Sequence, residues 1–142
     1  RIFKTIPVET YRGCPYSCTF CNSPMHLQIA KTDELGNFLR RKTIPKLRDE
    51  LKNVVDKYQP EFIYFVDDSF LARPKREIFE FCEMYSDIKL PFWMQTRPET
   101  VTDYNMKKLS EVGLHRISFG IEHGNEEFRK KILDIINLLI IK

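Results

Sequence analysis

Cys14, Cys18 and Cys21 fall within one short stretch, Cys14-Pro15-Tyr16-Ser17-Cys18-Thr19-Phe20-Cys21, at the spacing C-x3-C-x2-C. Thiolates are the preferred protein ligands of iron–sulfur clusters, and one loop can set three sulfurs around a corner of a cube without help from distant residues. Three thiolates leave one iron of a four-iron cluster open to a substrate or cofactor, whereas an electron carrier normally closes all four positions with cysteine. The same stretch admits a second chemistry. With His26 it reads C-x3-C-x2-C-x4-H, a ligand set for a non-catalytic zinc-binding module, although structural zinc sites usually come as two separated ligand pairs. Disulfides suit small, cysteine-dense secreted domains, and four cysteines in 142 residues with no signal-peptide pattern do not fit that class. Cys82 sits apart, inside the helical pattern Glu77 to Tyr85, and reads as a buried core thiol.

The elements that must carry these residues alternate between strand-like and helix-like periods, as repeated βα units of a parallel sheet do. The first strand is expected from Thr5 to Tyr11, followed by the cysteine loop and a polar stretch through Arg41. A helix from Ile44 to Tyr58 places Ile44, Leu47, Leu51, Val54, Val55 and Tyr58 on one face, with Thr43 and Pro45 suited to its first turn. The second strand, Phe62 to Val66, is continuously apolar and ends in Asp67-Asp68-Ser69. A helix from Pro74 to Asp87 leads to a third strand, Pro91 to Thr96, ending in Arg97-Pro98-Glu99. The third helix starts near the cap Thr102 and stops at Gly113. The fourth strand, Arg116 to Ile121, ends in Glu122-His123-Gly124, after which Asn125 caps a helix bearing Phe128, Ile132, Leu133 and Ile136. Four strands ending in polar or glycine-rich segments match a TIM-like barrel, whose strand ends gather on one face and form the active site. The expected fold class is therefore α/β, a partial (β/α) barrel of about four units with a parallel sheet and outer helices.

Cys14-x3-Cys18-x-Phe20-Cys21, entered through Arg12-Gly13, resembles the cluster loop of the radical S-adenosylmethionine (radical SAM) superfamily, and the likeness covers nearly the whole chain. The resemblance implies a 4Fe-4S cluster on Cys14, Cys18 and Cys21, whose open iron is chelated by the amino and carboxylate groups of S-adenosylmethionine. It further implies reductive cleavage of that cofactor to a 5′-deoxyadenosyl radical, which abstracts hydrogen from a substrate and leads to outcomes such as methyl or methylthio transfer. Phe20 would lie against the adenine. Asp67-Asp68-Ser69 stands where the family has a Gly-Gly-Glu pattern that holds the cofactor's amino group. Adjacent side chains on a regular strand face opposite ways, so only one of Asp67 and Asp68 is expected to reach it. Glu122, in a segment resembling the Gly-Ile-Glu-x-Gly of a large subgroup, would approach the ribose or methionine end. Arg97 would neutralise the methionyl carboxylate or pair with a nearby acid, and His123 reads as a loop residue.

Arg12-Gly13-Cys14-Pro15, Phe65 to Phe70 and the Gly-Ile-Glu-x-Gly segment together look most like the subgroup that carries an N-terminal cobalamin domain, with the tRNA methylthiotransferases sharing the central segments. The chain lacks the D-x-H-x-x-G pattern of cobalamin domains, so cobalamin is expected only through a domain outside this chain. The family core has six βα units, so residues 1–142 are expected to be the N-terminal portion of a radical SAM core domain, too open by itself for efficient catalysis. An electron donor such as flavodoxin or ferredoxin is the implied partner, and the substrate stays unknown.

Composition fits a cytoplasmic globular protein, with 42% hydrophobic, 13% aromatic and 30% charged residues. A net charge of +3 does not indicate a nucleic-acid partner, and Arg40-Arg41-Lys42 reads as a solvated stretch before a helix. The longest apolar run, Leu138 to Ile141, is far shorter than the ~20 residues of a membrane span.

Overall fold

The computed structural model of this chain describes residues 4–131. Strand β1 (Thr5–Val8) is followed by a two-residue strand β2 (Tyr11–Arg12), helix α1 (Ser23–Thr32) and a two-residue strand β3 (Arg40–Arg41). Then come α2 (Ile44–Tyr58), β4 (Phe62–Phe65), α3 (Lys75–Tyr85), β5 (Phe92–Thr96), a 3-10 turn (Pro98–Thr100), α4 (Asp103–Glu111), β6 (Leu114–Phe119) and α5 (Glu126–Lys131). The main sheet runs β1-β4-β5-β6, every pair parallel, so strands lie side by side in the order in which the chain makes them. This is the α/β architecture with a parallel sheet and outer helices that the alternating periods imply. No helix among the described residues is long and apolar enough to cross a membrane.

Alternation along the strands sorts their side chains into two faces. Ile63 and Phe65 of β4 and Phe92 and Met94 of β5 turn toward the helices and are fully buried with Leu51 of α2, Ile78 and Tyr85 of α3 and Leu109 of α4. Phe65 is the hub: its ring meets those of Phe70, Phe81, Tyr85 and Phe92 at centroid distances of 5.3 to 5.7 Å, mostly edge to face. The other face carries Tyr64 stacked on Trp93 at 4.4 Å, with the Tyr64 hydroxyl donating to Gln95 Oε1 and the Trp93 indole donating to Ser118 Oγ.

The helix boundaries follow local chemistry. Thr43 and Thr102 accept from Lys46 and Asn105 backbone N–H groups at the starts of α2 and α4, and Asn125 Oδ1 accepts from Phe128 N at the start of α5. Gly113 stops α4 at φ +115, where a Cβ would meet the Leu90 carbonyl oxygen at 2.8 Å.

Three expectations are corrected. The strand placed from Thr5 to Tyr11 is broken at Glu9, and Tyr11–Arg12 pair antiparallel with Arg40–Arg41 instead. The stretch through Arg41 is not merely polar: it holds α1, and its arginines form β3, with Arg41 ion-paired to Glu77 and Lys42 to Glu50. The fourth strand starts at Leu114 and ends at Phe119, two residues earlier than expected, because the chain leaves Gly113 already extended; a register shift follows between Phe92 and Trp93. Ile132, Leu133, Ile136 and the Asp134 to Lys142 stretch lie outside the described residues.

The aromatic hub predicts that Phe65→Ala lowers stability in urea denaturation by about 3–5 kcal/mol, while Phe79→Ala, on the exposed side of α3, changes it by less than about 0.5 kcal/mol.

Candidate functional site

Because the four strands are parallel and in order, the segments after β1, β4, β5 and β6 all leave from the same end of the sheet, where the strands have their C-termini. They enclose a cavity of about 640 Å³, lined by Cys14, Cys18 and Cys21 from the first segment, Asp68 and Ser69 from the second, Arg97 and Glu99 from the third, and Glu122 from the fourth. Phe20 also lines it while half-exposed to solvent.

The cysteine loop is held at both ends. Before it, the β2–β3 ladder fixes Tyr11 and Arg12, and Gly13 turns at φ +89 with only 2.8 Å between an added Cβ and the Phe38 carbonyl oxygen. After it, Ser23 enters α1 and its N–H donates to Cys21 Sγ at 3.4 Å. All three thiols are free, with Cys21 exposed and the other two half-buried. Burial raises the Cys14 thiol pKa above its usual value, against a backbone hydrogen bond from Tyr16 that lowers it.

Of the predicted cofactor residues, the structure brings Phe20, Asp68, Ser69, Arg97 and Glu122 to the cavity. It does not bring Asp67 there. Asp67 is fully buried on the opposite side of the segment, bound to Thr10, the Tyr11 N–H and Arg73. Arg97 lines the cavity and takes the second of its two expected parts, pairing with a nearby acid. It pairs with Glu99, its guanidinium lies 4.0 Å from the Tyr16 ring centroid, and Nη1 donates to Cys18 Sγ at 3.1 Å. Burial lowers its pKa, but the Glu99 hydrogen bond and charge outweigh this and the net shift is upward, so it stays cationic. Glu99 Oε2 is buried with no hydrogen-bond partner, an acceptor built into the wall. Glu122 sits at φ +62, in the left-handed region that few non-glycine residues adopt. His123 is a loop residue: its Nδ1 accepts from Asn125 N and its ring packs on Phe128.

Gln95, Thr96 and Ser118, which no motif marks, also line the cavity, as does Glu99 from the polar segment after the third strand. For Gln95 and Ser118 the signal is strand parity: they lie on the sheet face opposite the helices, in register with each other. Thr96 belongs to a hydroxyl chain, 3.2 Å from Ser69 Oγ and 2.8 Å from Thr100 Oγ1.

His26 lines the same cavity. Among the described residues, no three Cys, His, Asp or Glu side chains stand close enough to share one metal ion. Mononuclear zinc needs four donors converging on one atom. A cuboidal iron–sulfur cluster offers a different iron to each thiolate, so three soft donors distributed around one cavity suit it.

The thiols differ in a way that solution chemistry can read. Burial pushes the Cys82 pKa up from 9.0 to about 11. At pH 8 a disulfide reagent is expected to titrate Cys21 quickly and Cys82 only after unfolding. The native state keeps the Cys82 proton that the unfolded chain releases from about pH 9, so stability should fall as pH rises from 9 to 11. A fast-reacting Cys82 in folded protein contradicts this.

The profile of the radical SAM superfamily matches residues 8–137. An uncharacterized methyltransferase of Pyrococcus horikoshii is 28% identical over 119 residues, covering 83% of this chain and 24% of that protein. Cytidylyl-2-hydroxyethylphosphonate methyltransferase of Streptomyces wedmorensis is 25% identical over 131 residues, covering 87% of this chain and 22% of its own length. The chain thus spans about a quarter of the length of the relatives it matches. Among solved structures, the cobalamin-dependent S-adenosylmethionine radical enzyme OxsB, with aqua-cobalamin and S-adenosylmethionine bound, superposes with a TM-score of 0.63 at 22% identity over 87% of this chain and 19% of that one. The radical S-adenosylmethionine methyltransferase TsrM from Kitasatospora setae, with cobalamin and a 4Fe-4S cluster bound, gives 0.63 at 17% identity over 87% and 22%. At such identities the superpositions speak for the shared fold.

Proposed function

Because this chain belongs to the radical SAM superfamily, we propose that its cavity binds a 4Fe-4S cluster through Cys14, Cys18 and Cys21 and S-adenosylmethionine beside it. The observation that carries this is the convergence of three free thiols with the polar ends of three further strands on one cavity. A cluster bound there supplies the electron that reductively cleaves the sulfonium to a 5′-deoxyadenosyl radical.

The chain's own residues then have distinct tasks. Asp68 accepts a hydrogen bond from the N–H of the cofactor's amino group, taking the part that its buried neighbour Asp67 is not placed to play. Arg97 offers a charge-assisted partner to the methionyl carboxylate. Phe20 gives the adenine an apolar, stacking surface, and Glu122 accepts from ribose hydroxyls. Phe38 and Phe119 complete an apolar wall that limits water around reactive atoms. The names of the two relatives support methyl transfer as the outcome in the whole protein, and a cobalamin like that in the two superposed structures would be held by residues outside this chain. A small redox protein, flavodoxin or ferredoxin, is the reductant this reading requires.

Anaerobic reconstitution is expected to give a brown protein with about four irons per chain. Cys14→Ala, Cys18→Ala and Cys21→Ala should each lose them, and Cys82→Ala should keep them. S-adenosylmethionine should perturb the electron paramagnetic resonance spectrum of the reduced protein. Asp68→Ala and Glu122→Ala should each weaken its binding about tenfold, the loss of one hydrogen bond to a charged group. A colourless protein with one zinc, held by the three cysteines and His26, would overturn the reading.

A further inference from the structure

The most buried ion pair among the described residues lies outside the cavity, at the entry to the cysteine loop. Asp67 is completely buried and the Arg73 side chain nearly so, and they form an ion pair at 2.5 Å. Asp67 Oδ1 accepts from Thr10 N at 2.7 Å and Tyr11 N at 3.1 Å, and Oδ2 accepts from Thr10 Oγ1 at 2.5 Å. Arg73 Nη2 also donates to Thr10 Oγ1 at 2.9 Å and Nε donates to the Phe70 carbonyl at 2.5 Å, while the guanidinium lies 4.2 Å from the Phe70 ring centroid. Thr10 O accepts from Lys42 N at 3.0 Å, which carries the connection on to β3.

The location follows from the sheet. The β1–β4 ladder ends with Val66 N donating to Val8 O. Past that point the chain turns off toward the cysteine loop, and the Thr10 and Tyr11 N–H groups lose their strand partner. The Asp67 carboxylate replaces it, meeting two backbone donors that would otherwise be buried unpaired. A carboxylate buried this way is tolerable only with a cation beside it, and Arg73 provides one.

We propose that Asp67 and Arg73 are positioning residues that lock the entry of the cysteine loop to the Asp68–Ser69 wall, fixing the three thiols relative to the cofactor-facing carboxylate without touching the ligand. The proposal rests on the cluster reading above for its purpose. Neighbouring residues thereby divide the work, Asp68 facing the cavity and Asp67 holding the cavity in shape. Chemistry that depends on near-contact geometry loses about a hundredfold for misplacements of about 1 Å, so such a lock has a function beyond stability.

The test compares Asp67→Asn, Arg73→Met and Arg73→Lys with the parent chain. Its readouts are amide hydrogen exchange, alkylation rates of Cys14, Cys18 and Cys21, and iron loss to a chelator after reconstitution. In Asp67→Asn and Arg73→Met, exchange over residues 10–21 and loop alkylation should rise about tenfold or more, as expected for one lost hydrogen bond to a charged group. Strand β5 should exchange as before, and iron should leave faster. Arg73→Lys should restore most of the protection, and Arg76→Ala, whose partner Glu80 is on the surface, should change nothing. Unchanged loop exchange, or a rise shared equally by β4 and β5, overturns the proposal. If the first two variants do not fold, Thr10→Val removes the hydroxyl alone and should raise exchange in the same segment by less; no rise there is equally decisive. If the parent chain takes up no iron, the cluster reading fails, while exchange and alkylation still decide the positioning role.

Discussion

Four parallel strands laid down in chain order impose one constraint from which the site follows: each strand must be joined to the next by a crossover, and every strand points its C-terminal end to the same end of the sheet. Chemistry encoded at four separated places in the sequence is thereby delivered to one cavity. Helices α2, α3 and α4 pack on the other face of the sheet, so the apolar packing centred on Phe65 and the polar wall can be specified by different residues. Strand parity allows this within a few positions. In β5, Phe92 and Met94 serve the core while Trp93 and Gln95 serve the other face.

The cysteine loop is the part of the cavity that this scheme does not build by itself. It leaves β1 where the ladder ends and runs more than twenty residues before rejoining the fold at β3. The fold compensates with the short β2–β3 ladder, the tight turn at Gly13 and the buried carboxylate of Asp67. Removing one partner of a buried ion pair generally costs far more than the pair contributes, so Asp67 and Arg73 are strongly coupled to each other and to the loop they hold.

Much of this was legible in the sequence, for identifiable reasons. The C-x3-C-x2-C spacing is local and its ligand chemistry needs no fold to be read. The helices α2, α3 and α4 have continuous apolar faces, and β4 is an unbroken apolar run. Helix α1 escaped because Met25 and Ile29 face outward, leaving no amphipathic stripe. The two-residue strands β2 and β3 are too short for any period to show. Asp67 and Asp68 were indistinguishable as neighbours. What separates them is Thr10, 57 residues earlier, and Arg73, whose side chain lies over Phe70. Pairings at that distance are set by topology and leave no local trace. The start of β6 was misplaced for a related reason: Leu114 directly follows the helix-stopping Gly113 and His115 is an exposed polar residue, so the two read as the end of the turn.

The central claim is that one cavity holds both the cluster and the cofactor, in direct contact. Pulsed electron paramagnetic resonance of the reduced, reconstituted protein with S-adenosylmethionine labelled with nitrogen-15 at its amino group and oxygen-17 at its carboxylate tests it most directly. The account predicts hyperfine couplings from both labels, because both groups would ligate the iron that lacks a cysteine. A reduced cluster at saturating cofactor with no coupling to either label would contradict it.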